Sequence, residues 1–201
     1  QAYIPSDREG VFYSRNFKFG KYSLQAIMLD CRWERDEPDT DGKMLSESQW
    51  IWLENELKKE ADLILLCTGS QVLLDKESGS ETWENYPTEM QRLFNMVKNS
   101  KAEHVVLITG DQHYGEVNRL DNAFGYDAIE LQFSGVNQRE SPEFNSYRVS
   151  PVADSRHSMA LIDVQWEDSD TEAAHLLFRV FDTYNQKLEL TYRVNFSELK
   201  N

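Results

Sequence analysis

Apolar residues in this chain recur with two kinds of spacing. Residues 22–30 (YSLQAIMLD), 63–67 (LILLC), 105–109 (VVLIT) and 128–133 (AIELQF) are short apolar runs, too brief for helices, and are expected to be strands. The second and third have no polar interruption, the pattern of strands covered on both faces. Helical spacing occurs twice between them. Trp50, Leu53 and Leu57 mark one face, and Met90, Leu93, Phe94 and Val97 mark another. The first helix is announced by Ser46 and Gln49, spaced as a capping box, with Leu45 and Trp50 at the positions of a hydrophobic staple. Pro87 suits the first turn of the second.

Three stretches lack periodicity. Residues 32–43, with Asp36, Pro38, Asp39, Asp41 and Gly42, read as a loop. Residues 68–85, with Gly69, Gly79 and several charges, are expected to form a long exposed loop, and residues 136–155 contain Pro142 and Pro151. Loops of such length are usually functional or mobile. Beyond them, residues 158–166, 175–181 and 188–194 are strand-like and joined by the polar turns EDSDTE and DTYNQK, which predicts an antiparallel meander.

The order strand, helix, strand, helix, strand, strand, followed by antiparallel strands, defines an α/β fold of layered type. A βαβαβ portion spans 21–135 and an antiparallel β portion 156–196. Right-handed crossovers would place the first three strands parallel, with their carboxyl ends on one edge, where ligands gather in such sheets.

Composition narrows the possible partners. The chain of 201 residues carries 35 acidic and 21 basic residues, a formal charge of -14. That balance repels nucleic-acid backbones, so nucleic acid is not expected as a stable partner, while cations are tolerated. No apolar run approaches the roughly 20 residues of a membrane span. Cys31 and Cys67 end apolar runs and are expected to behave as small buried hydrophobes. The opening QAYIPSDREG is polar, lacks the order of a targeting signal and lacks a starting methionine, so the chain is expected to be a processed or trimmed product.

The edge argument draws attention to LITGDQHYGEV. Asp111 and His113 follow the carboxyl end of the VVLIT run, with Gly110 expected to let the backbone turn there. Asp30 and Arg32 hold the same place after the first strand. A carboxylate and an imidazole can hold a metal, and a guanidinium can grip phosphate through two parallel hydrogen bonds. Each also has a plainer reading. Asp-x-His suits a capped turn, Asp30 can accept loop amides, and Arg32 can pair with an acidic residue between Glu34 and Asp41. His104, His157 and His175 lie at or inside strand-like runs without acidic neighbours at ligand spacing and are read as structural.

Four phrases in order, LDCR (29–32), SQWIWL (48–53), WENYP (83–87) and GDQH (110–113), resemble the PhoD-like metallophosphatases. That family of alkaline phosphatases and phosphodiesterases carries L-D-T-R, E-Q-x-x-W-L, W-x-G-Y-P and G-D-x-H segments in this order. SRHSMALIDVQW also resembles the strand following its catalytic core. Cys31, Asn85 and Ser48 depart from the pattern without removing a proposed ligand. The resemblance implies a metal-dependent hydrolase of phosphate esters, with Asp111 and His113 as metal ligands and Arg32 contacting phosphate. It implies iron and calcium, or another metal pair, as cofactors. It also implies that this chain is the C-terminal part of a single catalytic domain, the remaining ligands coming from an N-terminal half that is missing here, and that the protein is secreted or periplasmic. The backbone around Ser134 and Gly135 is a further candidate for supporting the site. Trp50, Trp52, Trp83 and Tyr86 are expected to pack rather than bind substrate. The competing expectation is a non-catalytic α/β module that binds a protein partner through its 68–85 and 136–155 loops.

Overall fold

A computed structural model of the protein describes residues 10–38, 40, 42–75, 81–142, 144–166 and 173–200. Strand β1 (Tyr13–Phe19) pairs antiparallel with β2 (Tyr22–Met28). Helix α1 (Glu47–Leu57) leads to β3 (Leu63–Cys67), and α2 (Pro87–Ser100) to β4 (Val105–Thr109). Strands β5 (Gly115–Leu120) and β6 (Ala128–Phe133) complete a six-stranded sheet in the order β1-β2-β3-β4-β6-β5. Strands β2, β3, β4 and β6 run parallel, so four carboxyl ends share one edge. Strands β7 (Ser158–Gln165), β8 (His175–Asp182) and β9 (Lys187–Asn195) form the antiparallel meander. The EDSDTE turn lies outside the described residues.

Two strands were not anticipated. In β1, aromatic Tyr13, Phe17 and Phe19 do alternate with Ser14, Asn16 and Lys18, but the strand is an edge and largely exposed. Strand β5 hides Glu116 and Asn118 at 0% exposure, so hydropathy gives it no strand signature.

The helices cover one face of the sheet. Trp50, Leu53 and Leu57 of α1 and Leu93, Phe94 and Val97 of α2 are buried, and Ile27, Leu66 and Leu107 stand in one row of the sheet and are also buried. Buried Gln25 of β2 donates to the Glu56 carboxylate of α1 at 2.9 Å, which identifies the face that α1 covers. On the other face, Leu24, Ala26, Met28, Leu65, Cys67, Ile108 and Phe133 are only half-buried. The second sheet packs near β5, where a Cβ on Gly115 would lie 3.2 Å from Val180 of β8.

Residues 68–75 and 81–85, the described parts of the 68–85 segment, are not an exposed loop. Ser70, Gln71, Val72, Leu73, Leu74 and Trp83 are fully buried. Its backbone is fixed by the buried Glu130 carboxylate of β6, which accepts from the amides of Val72 at 2.7 Å and Leu73 at 3.3 Å. Burial drives the Glu130 carboxyl above its ordinary range, against the pull of those amides and of Asn118. Glu116 beside it accepts from Gln71, Asn118 and Asn145 and is paired with Arg148. Polar residues inside this network satisfy backbone that would otherwise be orphaned.

Candidate site at the carboxyl edge of the sheet

Four segments meet at the carboxyl edge: 29–32 after β2, 68–71 after β3, 110–113 after β4, and 134–135 after β6. The first is locked by α1. Gln49 accepts from the Asp30 amide at 2.8 Å and donates to the Asp30 carbonyl at 2.9 Å. Ser46 caps α1 as expected, accepting from the Gln49 amide at 3.2 Å. The Gln49 side chain, however, goes to Asp30 rather than completing a capping box, because the main chain of Asp30 is also buried and needs partners.

The Asp30 carboxylate accepts loop amides, from Val11 at 2.9 Å, Arg32 at 3.0 Å and Trp33 at 3.1 Å. Burial alone would push its carboxyl up, but the three amides outweigh burial and hold it below the usual carboxylate range. Gly10 closes this turn at φ +94°, where a Cβ would stand 2.9 Å from the Asp30 carboxylate oxygen. Asp30 is thus the bolt of the rim, and the plainer reading of it is the one the geometry supports.

Among the described residues between 34 and 41, Arg32 pairs with none of the acidic side chains. Its guanidinium lies 3.1 Å from Glu81 and 3.8 Å from Asp111, so the segments after β2 and β4 do meet. Glu81 also accepts from Arg35 at 2.8 Å; that hydrogen bond, with the attraction of both arginines, depresses its carboxyl. Arg32 is more than half exposed, so these contacts orient it without contributing much stability.

Gly110 is not where the backbone turns into the left-handed region. That conformation falls on Asp111, at φ +83°, and on His113, at φ +55°. Non-glycine residues rarely sit there, and such strain clusters at functional sites. The His113 amide donates to the Ser134 hydroxyl at 2.8 Å, and a Cβ on Gly135 would stand 3.3 Å from the His113 carbonyl oxygen. The His113 ring engages Glu140 through Nδ1 at 3.0 Å. Glu81, Glu140 and the clamping role of Gln49 have no local sequence signal, since each contact spans 19 or more positions.

The four quoted phrases touch one another in space. Gln49 holds Asp30, Trp50 meets Trp83 edge-on at 6.3 Å, and Arg32 reaches Asp111. Trp50 donates to the Glu89 carboxylate at 2.9 Å, Trp83 to the Thr68 hydroxyl at 3.2 Å, and the Tyr86 hydroxyl to the Asp36 carbonyl at 2.7 Å. These three rings are buried, and Trp52 packs against Phe12 at 4.8 Å. His104 and His175 each place Nδ1 at 2.9 Å from a carbonyl, of Asp62 and Ala173, and the His157 carbonyl accepts from Thr183. Cys31 is buried beside Ser70, while half-buried Cys67 has its thiol pushed up by burial to about 11.

Among the described residues no three His, Cys, Asp or Glu side chains converge as a cation cage. Asp111 and His113 offer an oxygen and a nitrogen donor, types that iron, manganese or zinc accept. The Glu140 carboxylate on Nδ1 fixes the orientation of the His113 ring. A concavity of about 810 Å³ follows the outer groove between α1 and α2 and includes none of these side chains. No helix among the described residues is long and apolar enough to cross a membrane.

Comparison with known proteins adds three findings. The family model described as PhoD-like phosphatase matches residues 3–177. A solved structure described as that of PhoD is 19% identical with a TM-score of 0.52, over 90% of this chain and 44% of that one. A second, described as GAP50, the anchor in the inner membrane complex of Plasmodium, is 16% identical with a TM-score of 0.60, over 96% of this chain and 55% of that one. The chain therefore spans about half the length of these structures. No curated protein matches it in sequence.

Proposed function

Because the chain belongs to the PhoD-like phosphatase family, we propose that it supplies part of the active site of a metal-dependent phosphate-ester hydrolase, acting on monoesters or diesters. The single observation that carries this reading is the meeting of Arg32 and Asp111, 3.8 Å apart, beside a histidine whose backbone is strained and whose ring is oriented. A fold alone does not carry an activity, and one fold neighbour is described as the anchor in the inner membrane complex of Plasmodium.

In this reading Asp111 and His113 would hold a cation, His113 offering Nε2 because Nδ1 is engaged with Glu140. Iron and calcium, or another metal pair, would supply Lewis acidity and lower the pKa of an attacking water. Arg32 binds two phosphoryl oxygens through parallel N–H donors, with Glu81 keeping the guanidinium on the rim when the substrate engages it. Ser134 fixes the His113 backbone, and Asp30 with Gln49 fixes that of Arg32.

The chain then acts as the C-terminal part of a single catalytic domain, the remaining ligands being supplied by the rest of the family fold. Two observations support this: among the described residues no three ligand side chains converge on the rim, and the sheet face opposite the helices is half-covered apolar surface. An exported location fits the family and is part of the same proposal.

Metal analysis with an aryl phosphate assay tests it, on this chain and on a chain extended to the family's full length. Asp111→Asn is the informative variant, because asparagine tolerates the left-handed backbone and the fold survives. The expected result is loss of bound metal and of hydrolysis; full metal content with full activity sinks the assignment. Hydrolysis by the extended chain alone supports a divided site, whereas inactivity in both favours the partner-binding module.

A further inference from the structure

Three large apolar residues stand exposed around this rim. Val11 is 55% exposed, Trp33 66% and Val136 65%. Isolated exposed hydrophobics need no explanation, but these are displayed on fixed backbone. The amides of Val11 and Trp33 donate to opposite oxygens of one carboxylate, Asp30, and Val136 follows Gly135, which packs on the His113 carbonyl. The other four tryptophans all have an aromatic partner: Trp50 with Trp83, Trp52 with Phe12, and Trp166 with Tyr22 at 4.8 Å and an interplanar angle of 8°. Among the described residues Trp33 alone has none.

The charge around the rim sharpens the point. Arg32 stands beside Asp111 and beside Glu81, which also holds Arg35. These groups, with the cations proposed for the site, engage the phosphoryl end common to every ester, so discrimination among esters falls to whatever meets the organic group. Resting on the phosphoesterase reading of the same rim, we propose that Trp33, one residue beyond Arg32 and held with Val11 on the Asp30 carboxylate, is a stacking surface for the organic group of the ester. The substrate class is then phosphate esters carrying a planar aromatic group, either an aryl group on the ester oxygen or the base of a nucleoside ester.

The test compares phenyl phosphate, adenosine monophosphate and glycerol phosphate with the metal-loaded full chain, extended if extension is what confers hydrolysis. Trp33→Ala is expected to raise KM for the aromatic esters about tenfold, the effect of losing one ordinary base–aromatic stack. kcat should be kept, the glycerol phosphate KM unchanged, and the aromatic selectivity restored by Trp33→Phe. A second readout is independent of turnover. Adenosine monophosphate should quench the part of the tryptophan emission that Trp33→Phe removes, and glycerol phosphate should not. An effect of phenyl phosphate alone assigns the aryl source, and of adenosine monophosphate alone the nucleoside source. If Trp33→Ala shifts all three esters equally, or none, and no quenching is seen, the stacking surface is overturned and Trp33 becomes part of a docking face. Quenching by adenosine monophosphate without hydrolysis of any ester would instead sink the phosphoesterase reading while leaving the aromatic subsite standing.

Discussion

Replacing Gln49 by methionine isolates the contact that ties α1 to the rim. The side chain is 2% exposed and bonds both the N–H and the carbonyl of Asp30, itself 8% exposed. Methionine conserves volume, so no cavity term enters. What remains is one buried donor and one buried acceptor left without partners, each costing about 1–3 kcal/mol. The expected loss is therefore about 2–6 kcal/mol. For a chain of this size that corresponds to a fall in Tm of roughly 4–24 °C, at about 2–4 °C per kcal/mol. The helix cap is untouched, because the Gln49 amide still donates to Ser46. Ser46→Ala supplies the comparison, since loss of an N-cap costs about 1 kcal/mol. Urea unfolding followed by circular dichroism, with the slope m unchanged, measures both. Should Gln49→Met prove no more damaging than Ser46→Ala, Gln49 would be a helix-capping residue after all and the clamp reasoning would fail.

Asp30→Asn tests the carboxylate that holds the rim amides. Its folded pKa lies below the ordinary 3.8, so its stabilisation is complete above that value and disappears as pH falls through the folded value; the variant should flatten the pH dependence of the urea midpoint below about pH 4. Gly10→Ala meets both a positive φ and a Cβ contact of 2.9 Å, and is expected to lower stability by about 1–2 kcal/mol, with faster amide exchange at Val11. Glu130→Ala removes the acceptor for Val72 and Leu73, and should cost about 2–4 kcal/mol and abolish exchange protection at those two amides, which protection at the wild-type level would contradict.

Much of the architecture was legible because it rests on short-range rules. Continuous apolar runs became β3 and β4, helical spacing became α1 and α2, Pro87 opened α2, and the short polar DTYNQK connection joined two strands of the meander. The edge on which Asp30, Arg32, Asp111 and His113 stand followed from strand order alone, and the Arg32–Asp111 approach spans the intervening β3 on that edge.

Other features resisted sequence reasoning for an identifiable reason. Residues 68–75 look like an exposed loop until Glu130, nearly sixty positions away, supplies their amides with an acceptor. Strand β5 looks polar until Gln71, Asn145 and Arg148 surround its buried carboxylate. Gly110 looks like the hinge, yet Asp111 and His113 take the left-handed backbone, with Ser134 and Gly135 packed against the turn. The sequence by itself determined both helices, the strands other than β1 and β5, and which edge collects the chemistry, since backbone propensity and apolar period act over a few residues. Only the tertiary structure decided where each polar side chain spends its hydrogen bonds, because a buried donor takes whichever acceptor the fold brings within 3 Å, however distant along the chain.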